Sequence, residues 1–332
     1  MMDISIPYYS DQSRVSNSSI GWFIKKGPRY FKDMLDGKEE GLSARYLDKG
    51  TMIHMYLLQP EEFWDNYIVA AEFEKPSSKQ QLAFADNYVN SMELEAEKKL
   101  IQAYSEAYST KGKSDDKVLS EATKMLETMQ PYIDYLSLNK DSNKTIITWS
   151  DLNILKTIKS NMESHKKAND LLFNLPDTFE VHNEFHINWE FPKLYHDTSI
   201  KCKSLLDRVA FDHTNKKIIL MDIKTTADVN NFSHSMSEYD YRRQLAYYWM
   251  AIHWYMLKEL NIDIEDYTFE TYILAVQSNN NYQVRVFKIK PNSIEERLDI
   301  IADTISEIAW HTKNNLWDQR REYYEGDGAE DI

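Results

Sequence analysis

The stretch KKIILMDIKTT, residues 216–226, contains the strand around which the fold is predicted. Its apolar run is typical of a buried β-strand, and it ends abruptly in charge at Asp222 and Lys224. Because side chains alternate across a strand, both charges leave the same face, after Ile218 and Leu220. Burying a carboxylate and an ammonium is costly unless they pair or bind a metal. The stretch therefore indicates either a strand-end salt bridge or a ligand site.

A second carboxylate favours the ligand site. Asp207 lies on the preceding predicted strand, and the short connection between the two strands predicts a hairpin. Pairing Phe211 with Lys216 sets Asp207 opposite Leu220, on the face of Asp222 and one diagonal step from it. Two carboxylates brought together repel each other unless a cation lies between them. The hairpin therefore predicts a metal site.

The surrounding elements predict an α/β fold, in which a mixed central sheet is flanked by helices and follows a large helical N-terminal section. Predicted strands lie at residues 179–189, 199–211, 216–225, 268–276 and 282–289. A long helix is expected over 237–260, and Ser293 with Glu296 forms a capping box for a last helix to about residue 317. Residues 77–175 are mostly helical, with one helix interrupted at Pro131.

These elements divide the chain into four segments. Residues 1–72 form the N-terminal part of the core domain, 73–178 a helical insertion or clamp, 179–324 the α/β core, and 325–332 a mobile acidic tail.

Composition limits the class of protein. The 332 residues hold a single cysteine, Cys202, which excludes a disulfide framework and any Cys-built zinc or iron–sulfur site. A single cysteine favours a reducing compartment, so a cytoplasmic location is expected. The start lacks a signal-peptide pattern, and no apolar stretch reaches membrane-spanning length. The net charge of −14 argues against a protein coated in nucleic acid, but it leaves room for local basic patches.

The chemistry of the site follows from its ligand types. Oxygen ligands without a thiolate set favour Mg²⁺ or Mn²⁺. Lys224 beside the ion is placed to orient a water nucleophile or to stabilise charge on a phosphate. This arrangement suits metal-assisted hydrolysis of a phosphodiester.

The long helix adds a polar pair. Gln244 and Tyr248 are four residues apart and therefore share one helical face. Arg242 and Arg243 lie beside them and are candidates for holding phosphates. The alternative for Tyr248 is a place in the core, since Tyr, Trp and Met fill this helix.

Three further candidates have simple alternatives. His54 lies on an apolar predicted helix, where it is either a metal ligand or a satisfied buried histidine. Lys201 and Lys203 share a strand face with Asp207 and line either a DNA path or a solvated edge.

The chain resembles the PD-(D/E)XK nuclease superfamily, and its RecB-like and exonuclease VIII (RecE-type) branch above all, in five motifs. In chain order they are Gly50-Thr51-x-x-His54, Glu184, Asp207-Arg208, Asp222-Ile223-Lys224-Thr225-Thr226 and Gln244-x-x-x-Tyr248. Residues 18–20, 28–30 and 57–63 are similar to the opening of exonuclease VIII-like domains. The likeness covers residues 16–72 and 181–255, and it leaves the helical section between them without a motif.

The resemblance implies a role for each matched residue. Metal ligands would be His54, Asp207, Asp222, the Ile223 carbonyl and, for a second ion, Glu184. Lys224 would act on the attacking water, and Gln244 and Tyr248 would support the site and contact DNA.

The function implied is that of an Mg²⁺- or Mn²⁺-dependent DNA exonuclease of the exonuclease VIII type, acting on the ends of linear double-stranded DNA. Such enzymes process DNA for recombination, often in a phage setting, with a single-strand annealing partner and in some cases as homo-oligomers. Two alternatives stay open: a catalytically silent nuclease fold that binds DNA or a protein, and a structure-specific endonuclease on the same site.

Overall fold

In the computed structural model, the apolar run that ends in Asp222 and Lys224 forms the middle strand of a mixed sheet. The structure describes residues 6–38, 45–93, 95–191 and 199–328, and only the backbone of 45–48. Within these ranges the sheet has five strands in chain order; the third and fourth are parallel and the other neighbours antiparallel. The predicted α/β fold, with helices flanking a mixed sheet, is confirmed.

The strands are β1 (Tyr67–Ala70), β2 (Thr145–Thr148), β3 (Glu180–Phe191), β4 (Ile200–Asp212), β5 (Lys217–Thr226), β6 (Thr268–Gln277) and β7 (Val284–Ile289). The helices are α1 (Asn17–Leu35), α2 (Arg45–Leu58), α3 (Pro60–Asn66), α4 (Lys79–Asn90), α5 (Ala96–Ala107), α6 (Asp115–Asp141), α7 (Trp149–Ser164), α8 (Lys166–Leu172), α9 (Phe232–Glu238), α10 (Tyr241–Lys258), α11 (Pro291–Glu295), α12 (Leu298–Asn314) and α13 (Arg321–Glu325). A 3₁₀ turn at Tyr8–Ser10 precedes them.

The chain forms two compact units. One comprises residues 1–58 and 158–332 and contains the five-stranded sheet; the other comprises 59–157 and contains the parallel pair β1 and β2 with the helices α3 to α6. The four-segment division at residues 72, 178 and 324 stays a prediction, and residues 329–332 of the expected tail lie outside the described residues. Among the described residues, every helix is too short or too polar to cross a membrane.

The β4–β5 hairpin has a different register from the one predicted. Asp212 pairs with Lys217, and its carboxylate accepts hydrogen bonds from the backbone and side chain of Asn215, at 2.9 and 2.8 Å. These bonds close a turn of residues 213–216, with Lys216 at φ 49°. Pairing Phe211 with Lys216 was therefore wrong. Continuing the observed register sets Asp207 directly opposite Asp222, still on one face because the shift is two residues.

Helix boundaries also differ from the predictions. The helix expected over 237–260 is broken at Asp240, which adopts a left-handed conformation between α9 and α10. Pro131 does not interrupt α6, which continues to Asp141. The Ser293–Glu296 capping box does not start the last helix, because Pro291 already begins the short helix α11.

The core lies between the sheet and α10. Leu245, Ala246 and Ile252 of this helix are almost fully buried, and α10 packs on β3 and β4. The fully buried Tyr247 donates its hydroxyl proton to the Val15 carbonyl at 2.7 Å. Burying side chains of this size stabilises the fold by about 2 kcal/mol each. The core thereby fixes the helix that carries Gln244 and Tyr248 against the strands that carry the carboxylates.

Candidate active site

The hairpin brings the two aspartates together within β4 and β5, away from the strand ends. Asp207 is 8% exposed, and its Oδ2 accepts a hydrogen bond from the Ile223 amide at 2.7 Å. Asp222 is 1% exposed and lies beside that amide in sequence. Charge-assisted bonds of this kind are about twice as strong as neutral ones. The Asp207 carboxylate is therefore held in place by the strand backbone.

Asp222 is fixed by two side chains. Its Oδ2 lies 2.8 Å from Lys224 Nζ, and its Oδ1 accepts a hydrogen bond from Gln244 Nε2 at 3.1 Å. The same amide group donates to the Tyr248 hydroxyl oxygen at 2.8 Å. The Gln244–Tyr248 pair, read from helical spacing as one face, thus supports the aspartate from α10. Tyr248 is also only 7% exposed, so it lies in the core as well as next to Gln244 at the site.

Burial and charge shape the protonation of the pair. Burial raises the pKa of Asp222 to about 6, although Lys224 opposes the rise. Burial lowers the pKa of Lys224, but the charges of Asp222 and Asp207 outweigh it and hold that pKa above its ordinary value. Lys224 therefore keeps its proton at neutral pH and is a donor, not a base.

His54 enters the site from α2. Its Nε2 lies 2.9 Å from the Ile223 carbonyl oxygen, which can only accept, so Nε2 carries a proton. In the neutral imidazole, Nδ1 then carries the lone pair. That atom lies 3.6 Å from Asp207 Oδ2 and 3.9 Å from Glu184 Oε1. Nδ1 therefore lies close to both carboxylates, and the role of His54 as a metal ligand stays a prediction.

Glu184 completes this group from β3. It has φ 46° inside a strand, a left-handed conformation that costs about 1 kcal/mol for a residue other than glycine. Burial and the charge of Asp207 raise its pKa to about 7. A strained backbone and a carboxylate that resists ionisation are typical of functional sites.

The donor set fits a divalent metal. Ligand atoms of His54, Glu184 and Asp207 all lie within 4.8 Å of one another. Next to them, the buried Oδ2 of Asp222 lies 2.8 Å from Lys224 Nζ and accepts no hydrogen bond from any other of the described residues. A buried carboxylate oxygen with a free lone pair is satisfied by a cation. The residues present are hard oxygen and imidazole donors, as divalent metals require.

Replacing Glu184 with glutamine should stabilise the metal-free protein at pH 8. Because the folded-state pKa of about 7 exceeds the ordinary 4.5, the folded protein binds the extra proton, and wild-type stability falls as pH rises through this window. One pKa unit is worth about 1.4 kcal/mol, so we expect the free energy of unfolding to rise by about 2 kcal/mol. Urea unfolding at pH 4.5 and pH 8 measures it.

The gain should fade toward pH 4.5, where wild-type Glu184 is itself protonated. The matched control is Glu190→Gln, which changes an exposed carboxylate on the same strand. A Glu184→Gln protein that is less stable than wild type at pH 8 would contradict the assigned cause of the pKa shift.

The basic residues expected on DNA divide into two groups. Arg243 is 6% exposed and donates to the backbone and side-chain oxygens of Asn17 at 2.8 and 2.6 Å. Lys203 is 8% exposed and donates to the carbonyls of Tyr8 and Asp11. Both tie the N-terminal segment to the core, which does not favour the DNA role predicted for them.

Arg242 and Lys201 are the other two. Lys201 is exposed and Arg242 is partly exposed, and neither forms an ion pair within the described ranges. Their roles in binding phosphates stay predictions that this placement allows.

Two residues that contact or position the site residues, Tyr241 and Asn183, were not identified from the sequence. The Tyr241 ring lies 5.2 Å from Lys224 Nζ, in cation–π distance. Asn183 donates to the Leu58 carbonyl at 2.7 Å and accepts from Arg208 at 2.8 Å, which ties the end of α2 to the sheet and so places His54. The first signal was available: Tyr241 precedes Gln244 by three residues and therefore shares its helical face.

Comparisons with known proteins agree with this geometry. Residues 198–325 match the model of a family described as a PDDEXK-like domain of unknown function (DUF3799). The matched range includes Asp207, Asp222, Lys224 and Gln244 and excludes His54. The match covers 128 of the 332 residues, so it shows a PDDEXK-like domain in this part of the chain and confirms the predicted resemblance to the PD-(D/E)XK superfamily.

Solved structures extend the likeness to the fold. A crystal structure from Eubacterium rectale described as "Putative exonuclease" matches with 12% identity and a TM-score of 0.51, covering 97% of this chain and 91% of that one. At this identity it shows a shared fold. A crystal structure of SSO0001 matches with 10% identity and a TM-score of 0.25, over 70% of this chain and 86% of that one, which is too low to show a common fold. No curated protein matches the chain in sequence.

Proposed function

We propose that the chain is a metal-dependent DNA exonuclease of the exonuclease VIII type, which hydrolyses phosphodiester bonds at the ends of linear duplex DNA. The observation that carries the proposal is the convergence of His54, Glu184 and Asp207 on one point, beside the buried pair of Asp222 and Lys224. The PDDEXK-like family match and the similar fold of a chain described as an exonuclease support it.

Each residue of the site has a separate role in the proposed reaction. Asp207, Asp222, His54 and the Ile223 carbonyl would hold Mg²⁺ or Mn²⁺, with Glu184 available to a second ion. When bound, such an ion lowers the pKa of water and neutralises charge on the phosphate. Lys224, protonated at neutral pH, would donate to a phosphate oxygen or to the attacking water and stabilise developing negative charge. Gln244 and Tyr248 would hold Asp222 in place.

The proposal extends to the setting in which such an enzyme acts. Cytoplasmic processing of DNA ends for recombination, with a single-strand annealing protein as partner, suits an exonuclease of this type. These points rest on the resemblance of the motifs, and copurification with an annealing protein would test the last of them.

Cleavage of linear and circular DNA tests the activity. With Mg²⁺ or Mn²⁺ we expect linear duplex DNA to be degraded from its ends, and no cleavage in EDTA, because the carboxylates alone cannot activate water. A covalently closed circle of the same sequence should stay intact, since it has no end. Gel analysis with end-labelled and circular substrates measures both.

The outcomes separate the competing functions. Cleavage of the closed circle would replace the exonuclease by an endonuclease on the same site. Absence of cleavage on linear, single-stranded and branched DNA with either metal would contradict the proposal and leave a nuclease fold used for binding.

A further inference from the structure

The 3₁₀ turn at Tyr8–Ser10 has no part in the chemistry, yet it is firmly attached to the sheet. Lys203 donates to the Tyr8 carbonyl at 2.6 Å and to the Asp11 carbonyl, and its Nζ lies 4.7 Å from the Tyr8 ring. Lys203 is 8% exposed, so these bonds lie within the protein. The Asp11 carboxylate is in turn fixed by Ser13 and Arg14. The turn therefore has a defined place.

That place is next to the carboxylates. The Tyr8 ring packs edge-on against His186, which follows Glu184 by two residues on β3, at a centroid distance of 5.4 Å. Lys203 precedes Asp207 by four residues on β4, so both lie on one face of the sheet. Glu184 and His186, two residues apart on β3, are separated by about 7 Å along the strand. The contact between Tyr8 and His186 therefore places the turn close to Glu184.

Tyr9 itself faces outward. Its side chain is 83% exposed, and its ring contact within the described residues is an edge-on one with Tyr8, at 5.2 Å. Because the turn already holds the backbone of Tyr9, only its side chain has to be ordered when a flat partner binds, which limits the entropy cost. Aromatic rings of this kind stack on bases of single-stranded nucleic acid.

We propose that Tyr9 stacks on an unpaired nucleobase of the DNA strand that enters the site. The inference rests on the proposed function, because it takes the cluster of His54, Glu184 and Asp207 to be the place of cleavage. It adds a substrate contact that none of the five motifs contains. Stacking does not read base identity, which suits an enzyme that degrades ends of any sequence.

Binding and kinetics of Tyr9 variants test the inference. The probe is a short linear duplex with a single-stranded overhang that carries 2-aminopurine, bound in Ca²⁺ and cleaved in Mg²⁺. Stacking should quench the 2-aminopurine of the wild-type complex. Tyr9→Ala should abolish the quench and raise both Kd and KM about tenfold with kcat within about twofold, since one stacked base is worth that factor or more.

Other variants identify the ring as the cause. Tyr9→Phe and Tyr9→Trp should bind within about twofold of wild type, because they keep a stacking surface. Tyr323→Ala is the matched control: it removes another exposed tyrosine, whose ring contacts Tyr324, and should change nothing. Since Tyr9 is largely exposed, its loss should leave the thermal unfolding temperature unchanged.

Each result bears on the proposal. Tyr9→Ala that binds and cleaves like an active wild type would overturn the stacking role and leave the nuclease in place. Tyr9→Phe as impaired as Tyr9→Ala would also overturn it, by showing that the hydroxyl matters and not the ring. A wild-type protein that neither binds nor cleaves the probe would overturn the inference together with the proposed function.

Discussion

Replacing Asp222 with asparagine is expected to abolish metal-dependent DNA cleavage, with a loss of at least about 10³-fold in kcat. Asparagine keeps the shape of the side chain and its hydrogen bond with Gln244, but it removes the charge that would neutralise the ion. Several kcal/mol of transition-state stabilisation depend on a correctly held metal, and this energy corresponds to that factor. Initial rates of cleavage of linear DNA at saturating Mg²⁺ measure the loss.

The matched control is Glu270→Gln. Glu270 lies on the adjacent strand β6, and its carboxylate forms ion pairs with Lys217 and Lys288. It is opposite Ile219 and therefore on the other face of the sheet from Asp222. Its variant should cleave at the wild-type rate. Asp222→Asn with more than a tenth of wild-type activity would show that this carboxylate does not hold the ion.

Replacing Lys224 with methionine should destabilise the metal-free protein by about 3 kcal/mol at pH 8, because a buried charge without its partner is strongly unfavourable. Asp222, 1% exposed, would be left with the Gln244 hydrogen bond and no cation. The pKa of Asp222, about 6 with Lys224 present, should rise further without this lysine, so at pH 5 the carboxyl takes up a proton and the loss should shrink. Cleavage should also fall by about 10²-fold, as for other donors to a reacting anion.

A double-mutant cycle isolates the pair. Asp222→Asn combined with Lys224→Met should recover most of the lost stability, because neither charge then remains buried. Lys217→Met is the control: it breaks the pair with Glu270 near the surface, worth no more than about 1 kcal/mol. If Lys224→Met unfolds like wild type at pH 8 without metal, the ion pair does not stabilise the site.

The central strand and its charged end could be predicted from the sequence because their signals are local. An apolar run followed by Asp222 and Lys224 specifies a buried strand with both charges on one face. The hairpin partner was predicted with the wrong register and still on the right face, since pairing shifted by two residues preserves alternation. The exact register depended on Asp212 bonding to Asn215, which is a property of the turn.

Contacts between distant segments could not be predicted in this way. Alternation placed Lys203 on the face of Asp207, but nothing local indicated that the carbonyls of Tyr8 and Asp11 would cover it. Arg243 likewise follows a helical pattern that says nothing of Asn17, more than two hundred residues earlier. Both cations are used to hold the N-terminal segment.

Glu184 is another residue whose contacts could not be predicted from the local sequence. It alternates with the apolar Phe185 and Ile187 on its strand, which places it on a polar face but is a weak signal of function. Its left-handed backbone and its approach to the distant His54 are features of the folded chain that no local pattern shows. Only the family motif indicated this residue in advance, and the strained conformation now supplies a physical reason to test it.

The central claim is that the carboxylates and His54 hold a divalent metal, and diffraction from a crystal soaked in Mn²⁺ tests it most directly. We predict an anomalous scattering peak within bonding distance of Asp207 and Asp222, with His54 Nδ1 facing it. The same soak of Asp222→Asn crystals should show a weaker peak or none. Ordered Mn²⁺ at surface carboxylates but not among these side chains would contradict the account.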